Sequence, residues 1–73
     1  MLLIDAVEYI MLNSPHANVN GVPLNEFKDY LKKRPSYGDK QVSLYLSDDK
    51  TVISGATEIF NRFKNLPTLD VIL

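Results

Sequence analysis

A single small α/β or α+β domain is what the sequence predicts. The expected order is α-(β)-α-β-α-β, with a two- to three-stranded sheet packed by two or three helices. Three observations carry this. The chain has 73 residues, room for one domain spanning 1–73 and no more. Apolar residues return at helical spacing in three stretches. Between the second and third of these, apolar and polar residues alternate strictly over 42–47, which is the signature of a half-buried strand.

The first helix is expected over 2–12. Leu3, Ala6, Val7, Ile10 and Met11 share a helical repeat, and Asp5 and Glu8 suit the positive end of the helix dipole. Asn13-Ser14-Pro15 stops it. Nearly every other position of this helix is apolar, so it buries more than one face or lends one to a partner. Asn20-Gly21 signals a turn, because both residues tolerate positive φ, with a short extended piece around Val19 or Val22. Pro23 sits where the first residue of a helix over 23–34 would stand. Leu24, Phe27 and Leu31 form its buried stripe, Tyr30 lies on the flank, and Pro35 ends it. A loop over 36–40 pivots on Gly38.

Val42, Leu44 and Leu46 then alternate with Ser43, Tyr45 and Ser47, and Asp48-Asp49-Lys50 makes a turn. Ile53, Ala56, Ile59, Phe60, Phe63 and Leu66 read as a third helix over about 52–65, with Glu58 and Arg62 paired at i,i+4 and Pro67 closing it. A rival reading turns 51–53 into a hairpin with 42–47. Residues 69–73 form a last strand. If a crossover helix joins two neighbouring strands, they are parallel and right-handed. So narrow a sheet leaves at least one edge open.

Composition removes several kinds of chemistry. Hydrophobic residues make up 45% and charged residues 23%, a globular mixture. The absence of Cys excludes disulfides, thiolate zinc sites and Cys nucleophiles. Asp5 and Glu8 interrupt the apolar opening, so it does not read as a signal peptide. No window approaches the length of a membrane span, and a cytoplasmic chain is the expectation. Asp48-Asp49 is the one adjacent carboxylate pair, and a turn or capping role explains it better than a metal site. His16 is the one histidine and follows Pro15 in a loop, with nothing to make it a general base. No phosphate-binding glycine loop or nucleophile elbow is present. A substrate pocket would hollow out so small a core. No enzyme, no cofactor and no metal are therefore expected.

Charge is distributed unevenly although the net value is -1. Lys28, Lys32, Lys33, Arg34 and Lys40 cluster, while residues 1–22 carry only Asp5 and Glu8. Tyr30 and Tyr37 lie beside the cluster and have rings that can stack on bases. The plain reading is a solvated helix end with cations matched to its dipole. Against it stand a docking patch for an acidic protein surface and a nucleic-acid site. Tyr45 points away from Val42, Leu44 and Leu46, so it is either covered by a helix or exposed.

Over 19–73 the pattern resembles the soluble domain of the ExbD/TolR family. The matching pieces are Val19-Asn20-Gly21-Val22-Pro23-Leu24, the helix through Leu31, Val42-Ser43-Leu44-Tyr45-Leu46 with Asp48-Asp49-Lys50, and Asp70-Val71-Ile72-Leu73. The resemblance implies a strand, turn, helix, strand with acidic turn, helix and final strand. It implies nothing of the family's motor function, because the polar-striped helix 2–12 stands where that family has a membrane helix with its aspartate. In size, slight acidity and lack of Cys the chain also resembles the small proteins with which bacteriophages seize host machinery.

The expected function is therefore non-enzymatic: a protein-binding module that regulates a larger partner. Its most concrete form is a phage-type inhibitor or antiterminator acting on bacterial RNA polymerase in the host cytoplasm. Two surfaces are candidates: the apolar face of Leu3, Val7 and Ile10, and the basic end formed by Lys32, Lys33, Arg34 and Tyr37. The alternatives are a self-associating domain of the ExbD/TolR kind, which would be a homodimer, and a nucleic-acid binder using the basic patch over 28–40.

Overall fold

A computed structural model describes residues 1–64 and 70–72. Among the described residues there are four helices and a five-stranded antiparallel open sheet, an α+β fold. The elements are α1 (Leu3–Asn13), β1 (Asn18–Val19), β2 (Val22–Pro23), α2 (Leu24–Lys32), α3 (Pro35–Gly38), β3 (Ser43–Leu46), β4 (Lys50–Ser54), α4 (Thr57–Lys64) and β5 (Asp70–Ile72). Strands lie in the order β2-β1-β5-β4-β3.

The Asn20-Gly21 turn is as expected. Both residues take positive φ, 52° and 88°, which gives the two-residue loop the twist that joins Val19 to Val22. The Asn18 side-chain oxygen accepts from the Gly21 N–H at 3.0 Å. Two short strands, paired as a hairpin, form where the sequence predicts one short extended piece around Val19 or Val22. Pro23 ends β2 with φ -57° and ψ 135° and stands one place before the helix rather than inside it. Pro35 also shifts role. α2 has already stopped at Lys32, and the proline opens the single turn of α3, where its fixed φ and missing N–H suit a first helical position. Gly38 is consequently buried in α3 against Ile4 of α1, not the pivot of a loop.

The largest departure lies in the second half. Residues 50–54 form a strand, so the third long helix begins at Thr57 and the rival hairpin reading is the observed one. Thr51, Val52 and Ile53 are consecutive β-branched residues, which favour a pleated strand. Thr51 and Ile53 are buried and Val52 is half-buried, an alternation of period two. Ser47 closes the Asp48-Asp49 turn by donating both its N–H and its hydroxyl to the Lys50 carbonyl, each at 3.0 Å. Gly55, at φ 98°, then turns the chain out of the sheet and into α4.

The hairpin also overturns the parallel crossover. β4 lies between β3 and β5, pairs with both, and every pairing in the sheet is antiparallel. Residues 69 and 73 of the expected last strand, and the helix stop at Pro67, lie outside the described residues.

One core joins helices and sheet. Leu3, Val7, Leu24, Phe27, Leu31, Ile53, Phe60 and Val71 are essentially inaccessible to solvent. On the other sheet face Tyr45, Lys50, Ser54 and Ile72 are exposed, so the helices cover one face only.

Candidate interaction surface

The apolar half of the expected contact surface is not a surface. Leu3 and Val7 are fully buried and Ile10 nearly so, all three inside the core that α1 shares with α2 and the sheet. The apolar excess of α1 is spent on the domain's own interior. The large apolar side chains that α1 does expose are Leu12, 83% accessible, and Tyr9.

The basic half remains outside. Lys32, Lys33 and Arg34 are exposed where α2 ends, and Tyr37 of α3 is half-buried beside them. Packing connects them through aromatic rings. Phe27 lies edge-on to Phe60 with ring centres 5.0 Å apart, Phe63 sits 4.8 Å from Tyr30, and Tyr30 sits 6.1 Å from Tyr37. Such offset and tilted pairs suit the ring quadrupoles. The Arg34 guanidinium lies 4.4 Å from the centre of the Tyr30 ring, a cation–π contact. Glu26 and Asp29 border the same shallow depression, about 310 Å³ in volume.

Arg62 joins this surface from α4, a placement with no signal in the sequence. It pairs with Glu58 at 3.1 Å, as the spacing foretells, and also donates to the Tyr37 hydroxyl at 3.0 Å. The hydrogen bond to Tyr37, followed by the electrostatic attraction of Tyr37 and Glu58, raises its pKa above the ordinary guanidinium value. Arg62 therefore stays a cation at any pH at which the protein is folded. A contact between α3 and α4 has no local spacing to announce it.

The other candidates stay apart. His16 is exposed in its loop and Asp48-Asp49 in its turn. Among the described residues no three His, Cys, Asp or Glu side chains are grouped to hold a metal ion. An apolar groove of about 190 Å³ runs between the end of α1 and the β3–β4 hairpin, with Tyr9, Leu46 and Thr51 among its walls. Among the described residues no helix is long and apolar enough to cross a membrane. Comparison with protein-family models, with curated proteins and with solved structures found no match.

Proposed function

We propose that the chain is a non-enzymatic binding module that regulates a larger protein by docking an acidic segment of it on Lys32, Lys33, Arg34 and Tyr37, with Arg62 extending the surface. The observation that carries this reading is the Arg34 guanidinium held 4.4 Å from the centre of the Tyr30 ring, beside exposed Lys32 and Lys33. A guanidinium pre-placed in this way loses little rotamer freedom when it grips a carboxylate. The tyrosines themselves favour a protein over a nucleic acid. Tyr30 packs against Phe63, Tyr37 and Arg34, so its faces are already occupied and little remains on which a base could stack. In its most concrete form the partner is bacterial RNA polymerase and the chain a phage-type regulator in the host cytoplasm, a reading supported by the profile of size and composition.

The test is binding of a labelled glutamate-rich peptide, and of purified bacterial RNA polymerase, to the native chain and to a Lys33→Glu, Arg34→Glu variant. Reversing two exposed charges should weaken binding by at least about tenfold, with the thermal melt unchanged. Equal binding by the variant would remove the surface from consideration. Tight, steeply salt-dependent binding of short RNA or DNA instead would favour the nucleic-acid reading. Binding of the peptide but not of the polymerase would discard only the named partner.

A further inference from the structure

We infer that the protein self-associates by pairing the open edge of β3 with β3 of a second copy, antiparallel and centred on Tyr45. The two edges of the sheet are finished differently. β2 closes one with two residues, the second of them Pro23, which has no N–H to offer. β3 closes the other with Ser43-Leu44-Tyr45-Leu46, which contains no charge and no proline. Tyr45 is 62% and Leu46 65% exposed.

The hydrogen-bond parity of β3 is fixed at both ends. Ser47 donates its N–H to Lys50 across the hairpin, so Ser43 and Tyr45 also direct their backbone groups at β4. Val42 directs its own the other way, donating to the Met1 carbonyl at 2.8 Å. Leu44 and Leu46 therefore present N–H and C=O outward, beyond the reach of β4. A two-fold centred on Tyr45 sets Leu44 opposite Leu46 of the second copy, and the reverse, which satisfies all of these groups with four hydrogen bonds. Centring on Leu44 would run the second strand into Val42, already bonded to Met1, and centring on Leu46 would run it into the Asp48 turn.

Side chains fit the same register. Leu44 meets Leu46 on the helix-covered side, and Tyr45 meets its copy on the bare side, in the close non-hydrogen-bonded pairing where aromatic side chains interact best. The contact is well short of the ~1,600 Å² of a standard interface, so the dimer should form and dissociate with concentration rather than persist.

Sedimentation over a concentration series tests this, together with amide hydrogen exchange at its two extremes. The mean mass should rise with concentration. The Leu44 and Leu46 amides should become protected only at high concentration, while those of Ser43 and Tyr45 are protected throughout. Leu46→Pro removes an outward N–H from an exposed edge position and should hold the chain monomeric with its circular dichroism unchanged. Tyr45→Lys sets like charges opposite each other and should do the same, and it decides the matter if the proline variant melts early. A monomer at every concentration overturns the inference. So does a dimer that survives the deciding substitution, since another surface would then be holding it.

Discussion

The side of the molecule where α2 meets α4 and the side where β3 ends the sheet solve the same problem in opposite ways. Around α2 and α4, every large ring has a neighbour: Phe27 and Phe60 are buried, Phe63 and Tyr30 cover them, and Arg34 and Arg62 cover the tyrosines in turn. Apolar area is shielded in layers that end in charge. At β3 there is no outer layer. Tyr45 and Leu46 stand in solvent, and two residues keep backbone groups that the hairpin does not use. Stability is therefore concentrated on one side of this small domain and adhesive capacity on the other. With so few residues, little is left over to cover both.

Phe60→Ala is the strongest way to break the contrast. Removing a buried aromatic side chain costs about 3–5 kcal/mol, and a domain of this length has roughly 4–11 kcal/mol in total. The urea midpoint should fall by about a quarter or more, and a chain already near its limit should unfold. Tyr45→Ala is the matched control on the exposed side, and it should move the midpoint by less than about 0.5 kcal/mol equivalent. A large loss from Tyr45→Ala would mean that the bare face stabilises the monomer, and the division between the two sides would disappear.

Gly55→Ala comes next in size, and it bears on what the sequence revealed. The strand over 42–47, the first two helices and the Asn20-Gly21 turn were legible because each rests on a local period or a local φ requirement. The β4–α4 boundary was not. Ile53 falls on the helical repeat of Ala56, Ile59 and Phe60, so in the sequence the period of α4 runs back into the hairpin, and only Gly55 between them marks the break. Gly55 has φ 98°, and an added Cβ would lie 3.2 Å from the Gln41 carbonyl oxygen. An alanine at a compatible φ would gain up to ~1 kcal/mol, and at this φ Gly55→Ala should instead cost more than that, as read by chemical denaturation. A neutral result would show that the junction relaxes, and that the glycine is no more than a convenience there.

The candidate surface was half legible, and the reason lies in the same contrast. Exposed cations after the apolar stripe of α2 can be read from sequence, because the stripe sets which side faces water. The fate of Leu3, Val7 and Ile10 cannot, because an apolar helix face looks the same whether its own sheet or a partner covers it. The Tyr37–Arg62 contact, between α3 and α4, was likewise out of reach, and Tyr37→Phe is the mildest test of it. That substitution keeps the ring beside Tyr30 and removes only the hydroxyl that accepts from Arg62. A cation whose pKa rises on folding adds stability below its unfolded value and loses it only as pH climbs past the folded one. For an arginine that window lies beyond ordinary buffers. The melting temperature should therefore drop slightly, less than for either change above, and by the same amount in mildly acidic and mildly alkaline buffer. Combining Tyr37→Phe with Arg62→Gln should then give less than the sum of the two single losses, since each removes the same bond. Strict additivity would mean that Arg62 is held by Glu58 alone and that the cationic surface ends at α3.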